Sequence, residues 1–416
     1  MRVLVIGCGL AGISTAYYLH RAGAEVTVLD RGTAPARETS YANGAMLTPS
    51  LADPWNAPGV LRTLIRSLGD DEAPMLLHLS QLPRMGLWGL RFLWNARRDR
   101  FEATFLHNVA LARHSQVLLA TLCDDTGIEF ELQAGGILKV FEDPAALEEA
   151  TRVAHWLKQS GIDHRLLDVP ALVALEPQLA AGADRLAGAL HFPDDQVGNA
   201  RLYCEALARW LGKAGVRFRF GEMVLGFQVA AGRLISVRTA REVIRPDALV
   251  LAAGSDSALL GRRLGIRVPV VPAKGYSITV PVDGPLPAYP VVDDALHAAV
   301  VPLGTNRLRV AGTAEFAGFD RSVRQPRIDN LIRLLARIYP SVPTTGRRLE
   351  AWAGLRPMTP DGRPLLGVTR LLNVFLNTGH GALGWTHATA SGKVVAERVL
   401  GEPPSFDATP FSPDRL

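Results

Sequence analysis

The sequence predicts an α/β chain of two domains: a parallel-sheet unit built from discontinuous segments, and a second α+β unit on a largely antiparallel sheet. Three observations predict it. A strand, a glycine-rich turn, a helix and a second strand open the chain. A second glycine-rich strand-to-helix turn lies near its end, in "NTGHGALGWTHATASG" (377–392). Between them, strand-like segments follow one another across turns, the pattern of an antiparallel sheet and not of βα repeats.

The first unit begins with "RVLVIG" (2–7), an apolar run rich in β-branched residues. "GCGLAG" follows and sets Gly7, Gly9 and Gly12 in a G-x-G-x-x-G spacing. "ISTAYYLHRAG" has helical periodicity, with Gly23 where the helix would end. "AEVTVLD" (24–30) is the next strand and closes on Asp30, 18 residues after Gly12. Strand before, helix after and an acid at the second strand's tip make a Rossmann-like nucleotide-binding unit. Its glycines allow a tight turn and close approach to a pyrophosphate, which the helix N-terminus then faces. Asp30 suits a ribose and disfavours a 2′-phosphate. These residues bind an ADP moiety without distinguishing NAD from FAD.

"ETSYANGAMLTPS" (38–50) is a polar, turn-rich loop able to cradle a polar ligand chain. The amphipathic stretch "NARLYCEALARWLGKAG" (199–215) predicts a helix. "VRFRFGEMV" (216–224) and "DALVLAAGSDS" (247–257) read as further strands of the parallel sheet. The antiparallel set comprises "GGILKVF" (135–141), "RLAGALHF" (185–192), "GYSITVPV" (275–282), "HAAVVPL" (297–303) and "NRLRVAGTAEF" (306–316). "DPAALEEATRVAHWLKQSG" (143–161) is a helix with an acidic first turn. "LLNVFLN" (371–377) is a strand that turns directly into a helix carrying Val394, Val395 and Val399. One ADP moiety needs one glycine-rich turn. The second is explained by a flat, electron-rich ring such as a flavin, which glycines let approach the backbone.

The 416 residues suit two or three domains at about 150 each. Charge is scattered at a net +5, so nucleic-acid binding has no footprint. A mildly basic surface suits an anionic substrate or membrane face. Cys8, Cys123 and Cys204 are too few and scattered for a disulfide framework or zinc site. No metal-ligand or Ser-His-Asp set appears. With no room for a cleavable signal peptide and no apolar run near the roughly 20 residues of a membrane span, a cytoplasmic protein is expected. "LPRMGLWGLRFLWNARRDR" (82–100) reads as a core-facing helix with basic ends, or as a helix at the inner face of a membrane.

The motifs "VIGCGLAGISTAYYL", "ETSYANGAMLTPSLADPWNAPG", "PAKGYSITVP", "RLRVAGTAEFAGFD", "GLRPMTPDGRPLLG" and "NTGHGALGWT" span residues 3–386. On them the chain resembles the FAD-dependent D-amino acid oxidase superfamily, and within it the D-amino acid dehydrogenase branch. The resemblance implies FAD, expected to be non-covalent because no residue stands out for covalent attachment, and oxidation of a D-amino acid by hydride transfer from Cα to flavin N5. The imino acid would hydrolyse to a 2-oxo acid and ammonia, and electrons would pass to a quinone or respiratory acceptor. It also implies an FAD-binding domain from 1–58, 196–266 and 346–416, and a substrate domain from 59–195 and 267–345. No oligomer is specified.

Carried over residue by residue, Gly7, Gly9, Leu10, Ala11, Gly12, Asp30 and Arg31 hold the ADP half. Thr39, Ser40, Asn43, Gly44 and Ala45 lie near the flavin, and Val224, Ala253 and Gly254 beside the dinucleotide. Gly379, His380, Gly381, Ala382, Leu383, Gly384 and Trp385 form the turn under the ring. Arg356 matches the arginine that binds the substrate carboxylate, and its fork-shaped guanidinium suits bidentate pinning. Tyr276 and His380 are further catalytic candidates, and Lys274 a weaker pocket residue. "ANGAML" departs from the usual pattern. Ala382 stands where some relatives carry a second carboxylate-binding arginine. A cyclic or secondary amine (D-proline, a hydroxyproline isomer, glycine, sarcosine) therefore stays open as substrate. An NAD dehydrogenase, against which the second glycine turn speaks, and a flavoprotein without turnover are the other readings.

Overall fold

The computed structural model describes residues 1–296, 298–343 and 349–416. A six-stranded sheet runs in the order Leu365–Val368, Val374–Thr378, Ala248–Leu251, Arg2–Ile6, Glu25–Leu29, Arg217–Arg219. All neighbours are parallel except the first pair. The sheet thus gathers strands from both ends and the middle of the chain, as the sequence predicts. Its strands are apolar throughout because both faces are covered. Val3, Val5 and Val250 enter a core with helices Leu10–Arg21, Ala200–Lys213 and Ala388–Leu400. Leu4, Ile6, Leu249 and Leu251 enter a second core. That core is roofed by a small sheet of Val224–Ala230, Arg233–Thr239 and Val243–Ile244, which the sequence reading did not foresee.

Among the described residues the second sheet has nine strands. Its main order is Glu350–Met358, Val271–Pro281, Arg307–Phe316, Ala298–Leu303, Val291–Asp293, Ile137–Phe141, Gly188–Phe192, Arg165–Leu167, and Met75–Leu77 adds to Arg307–Phe316. It is antiparallel apart from two pairs. One face packs on helix Gln325–Ile338 through Tyr276, Ile278, Val280, Leu308 and Val310. On the opposite face, Ser277 Oγ donates to the Ala42 carbonyl (2.7 Å) and Arg309 Nη1 to the Asn43 carbonyl (3.0 Å). The loop 39–46 is therefore clamped between the two sheets.

Several elements differ from expectation. The 143–161 helix spans Pro144–Lys158 and has no acid in its first turn; Asp143 instead caps it by accepting from the Ala145 N–H. The C-terminal helix starts only at Ala388, after a short 3₁₀ turn at Gly381–Leu383. Segment 82–100 is divided between helices Leu82–Trp94 and Arg98–Thr126. The strand expected from 297 runs from Ala298; residue 297 and the boundary at 345/346 lie outside the described residues. Strand Glu350–Met358, grouped by sequence with the nucleotide-binding segments, pairs along its length with Val271–Pro281. The three cysteines are free, with Cys8 and Cys204 buried.

Candidate cofactor and substrate site

A cavity of about 1100 Å³ runs between the two sheets. It exceeds the roughly 300–1,000 Å³ of ordinary small-molecule pockets, so it has room for a dinucleotide and a second ligand. One end is built by the first strand–turn–helix. A Cβ on Gly12 would meet the Gly7 carbonyl oxygen at 1.9 Å, and one on Gly7 would meet the Ala252 carbonyl oxygen at 2.3 Å. Only glycine allows this approach of helix to strand. The Leu10 N–H donates to Ser40 Oγ (3.2 Å), tying the turn to the loop. Asp30 accepts from the Cys8 and Gly32 N–H groups, each at 2.6 Å. Burial still raises its pKa despite these two bonds. A carboxylate so held keeps acceptor capacity for ribose hydroxyls.

Arg31 donates to Glu38 (2.6 Å) and Asp256 (2.8 Å) at the cavity mouth. Arg321, from the far sheet's side, bonds the same two carboxylates. Glu38, Asp256 and Arg321 were missed in the sequence, where nothing local marks a partner so distant. Ala253 and Gly254 follow the central strand, and the Gly254 carbonyl accepts Thr378 Oγ1 (3.0 Å). Val224 lines the cavity, and its carbonyl accepts Arg263 Nη1 (3.2 Å).

Thr39 Oγ1 donates to the Leu355 carbonyl (2.7 Å). Asn43 Oδ1 accepts the Ala45 N–H (3.1 Å), closing a turn in which Ala45 takes φ +58°. Gly44 lies against Ala311. Residues 380–386 line the same cavity, and Gly379 and Gly381 have φ of +82° and +56°. Trp385 Nε1 donates to the Gly198 carbonyl (2.8 Å), which fixes the turn from below.

The three predicted catalytic residues, Arg356, Tyr276 and His380, all border the cavity, but the polar groups of Tyr276 and His380 are committed elsewhere. Arg356 reaches the cavity. Its strand pairs Gly354 with Gly275, and on this patch without side chains the Trp352 ring covers Gly354 while the guanidinium lies over Gly275. A Cβ on Gly275 would come within 2.4 Å of Arg356 Cζ. Arg356 Nη1 donates to the Thr313 carbonyl (2.8 Å), and the guanidinium sits 5.1 Å over the Trp55 ring. The side chain is half-buried by surface area because the cavity reaches it, while protein packed around it lowers its pKa to about 10. No carboxylate among the described residues pairs with it.

Tyr276 points to the opposite face, into the core under Gln325–Ile338, where its hydroxyl donates to Glu315. Burial, then Glu315, raises its pKa. Lys274 is also buried there, between Asp320 (2.6 Å) and Glu315 (3.5 Å). His380 is buried and shares a hydrogen bond between Nε2 and Ser391 Oγ (3.0 Å). Burial, then His387, lowers its pKa to about 3, so it is a neutral member of the turn.

FAD, the cofactor the resemblance implies, fits this chain. The Gly7–Gly12 turn leaves an uncluttered backbone for a pyrophosphate. Asn377, in the cavity wall, carries a buried Oδ1 without a hydrogen-bond partner among the described residues. Among the described residues no cluster suits a metal ion.

Residues 2–398 match the family model for FAD-dependent oxidoreductases of the DAO type. The chain is 42% identical to the D-amino acid dehydrogenase of Paramagnetospirillum magneticum, covering 100% of this chain and 99% of that protein. It is 40% identical to the D-amino acid dehydrogenase of a Methylobacterium species, with coverage of 100% and 99%. Among solved structures, glycine oxidase from Geobacillus kaustophilus superimposes with a TM-score of 0.80 at 24% identity, covering 99% and 98%. The fold, the glycine-lined cavity and the full-length match agree: this chain belongs to the DAO family of FAD-dependent oxidoreductases.

Proposed function

We propose that the protein oxidises a D-amino acid to its imino acid, which water hydrolyses to a 2-oxo acid and ammonia. The observation that carries this reading is Arg356, a cation in the cavity wall that no carboxylate among the described residues pairs with. A desolvated guanidinium favours a bidentate anionic ligand, and a substrate carboxylate is one. FAD, the family's cofactor, supplies the hydride acceptor when bound. We assign its ADP half to Gly7, Gly9, Leu10, Ala11, Gly12, Asp30 and Arg31, and its ring to the 39–45 loop and the 379–385 turn. Trp55, Pro54, Val60 and Met75 line the end of the cavity that includes Arg356 and exclude water from the bound amino acid. Full-length relatives named D-amino acid dehydrogenase favour this substrate class over glycine, sarcosine or a cyclic amine.

A quinone or respiratory acceptor and a peripheral membrane contact complete the reading. Helices Val60–Arg66 and Leu82–Trp94 expose Leu61, Ile65, Leu82, Leu87, Leu90 and Trp94 to solvent. The opposite side of the second helix packs on strand Glu350–Met358: Trp88 Nε1 donates to the Met358 carbonyl (3.2 Å), two residues from Arg356. An exposed apolar helix face with arginines nearby suits a membrane interface. No helix among the described residues is long and apolar enough to cross a membrane. The test is anaerobic: D- and L-amino acids are added to the yellow holoenzyme while the flavin band is followed. Bleaching by D- and not L-forms is expected. A band that no amino acid bleaches would overturn the reading.

A further inference from the structure

Arg356 holds one end of an α-amino acid and, alone, would pin either enantiomer. The other polar group on the reacting carbon is the amine. Tyr276 and His380 are already committed, to Glu315 and Ser391. Strand Arg307–Phe316 offers another acceptor. Tyr276 pairs with Gly312, but Lys274 pairs with Glu315, so Thr313 and Ala314 together stand opposite Gly275. This is a β-bulge, a device that re-aims a side chain. The parity of the strand records it. Val310 and Glu315 face the same side, one in the core under Gln325–Ile338 and the other at the Tyr276 hydroxyl, although they are five residues apart.

Within the bulge Thr313 takes φ +54°, a left-handed conformation that a β-branched residue rarely adopts. The surroundings enforce it. The Thr313 carbonyl accepts Arg356 Nη1 (2.8 Å), the Ala314 N–H donates to the Pro74 carbonyl (2.7 Å), and the Ala314 carbonyl accepts Arg327 Nη2 (3.0 Å). Thr313 itself lines the cavity, is 6% exposed, and its hydroxyl has no hydrogen-bond partner among the described residues. Backbone strain and an unmet buried hydroxyl thus coincide in one residue, bonded to the carboxylate-binding arginine.

We propose that Thr313 is a positioning residue for the substrate's α-amino group, and so a determinant of enantiomer preference. Its hydroxyl oxygen accepts an N–H of the neutral amine while Arg356 holds the carboxylate. The Arg356–Thr313 bond fixes the two contacts relative to each other. With two substituents of the reacting carbon held, hydrogen and side chain have only two places left, and exchanging them is what distinguishes the D- from the L-form. This inference rests on the amino acid reading of the site.

The test compares wild type, Thr313→Val and Thr313→Ser as holoenzymes, with flavin content checked. Valine keeps the β-branch and volume but loses the hydroxyl; serine keeps the hydroxyl. The probes are the D-amino acid that reduces the wild type fastest, its L-form, and the same carboxylate without the amine, whose binding is read by its perturbation of the flavin spectrum. In Thr313→Val, flavin reduction by the D-amino acid should slow about tenfold or more, as for one lost buried hydrogen bond. The D-to-L rate ratio should fall, amine-free carboxylate binding should hold, and Thr313→Ser should recover most of the rate. Unchanged reduction in Thr313→Val, or carboxylate binding lost in step with it, would overturn the proposal. A wild type that no amino acid reduces would overturn the functional reading itself, and is told apart because it needs no variant.

Discussion

At the scale of single residues, the proposed carboxylate contact depends on a guanidinium and the glycine that makes room for it. Arg356→Ala should lower kcat/KM by roughly 2–5 kcal/mol, the range for truncating one partner of a desolvated charge pair. Steady-state kinetics checks this, and a near-normal value would remove Arg356 from the site. Arg356→Lys should recover only part, because an ammonium keeps the charge without the planar fork. Gly275→Ala probes the same geometry from behind. The added Cβ would lie 2.4 Å from Arg356 Cζ, the mobile end of a long side chain. Thermal stability should change little, while a displaced guanidinium raises KM roughly 10–100-fold. Equal losses of stability and activity would mean that the backbone moved instead.

At the scale of elements, the 42–45 loop is held from the antiparallel sheet. Arg309 donates to Thr279 Oγ1 (2.8 Å) and the Asn43 carbonyl (3.0 Å), and burial lowers its pKa to about 10. Arg309→Met would leave that carbonyl unbonded, at a cost of about 1–3 kcal/mol. Because the loop faces the cofactor cavity, the expected readout is weaker FAD retention, followed by the fluorescence of released FAD. The helix Leu82–Trp94 makes a separate prediction. Leu87 and Leu90 are 54% and 68% exposed. Leu87→Glu with Leu90→Glu should abolish sedimentation with phosphatidylglycerol vesicles and leave the rate of flavin reduction intact. Vesicle binding that persists in the double variant would exclude this face as the contact.

At the scale of the whole molecule, buried titratable groups set the pH range of the fold. Burial pushes His380 to about 3 and His387 to about 4, well below the ordinary histidine value near 6.5. Between those limits the unfolded chain binds protons that the native protein refuses. Stability should therefore be full above about pH 6.5 and fall as pH drops toward 4. Asp195 works in the opposite sense. Burial raises it to about 7 against its bonds from Ser50, so its contribution fades as pH rises from about 4 to 7. Two histidines outweigh one carboxyl, and the thermal midpoint should decline on acidification below pH 6.5. A His380→Asn, His387→Asn double variant should flatten that decline. An unchanged slope would place its origin elsewhere.

Much of this architecture was legible because its signals are local. The Gly7–Gly12 spacing, the strand ending on Asp30 and the 377–385 turn are each contiguous in sequence, and their chemistry depends on immediate neighbours. Arg356 was singled out through the resemblance carried by "GLRPMTPDGRPLLG", and the structure sets it in the cavity wall. Tyr276 borders the cavity as expected, but the direction of its hydroxyl was not legible, because alternation along a strand defines two faces without saying which one helix Gln325–Ile338 will cover. Thr313 could not be singled out at all, since its bulge is held by Arg356, Pro74 and Arg327 from three other segments. By itself, then, the sequence determined the Rossmann-like unit and its assembly from discontinuous segments. Only the tertiary structure decided which face each side chain serves and which strands close the cavity, because sheet pairing and bulge register are set by hydrogen bonds between segments far apart in the chain.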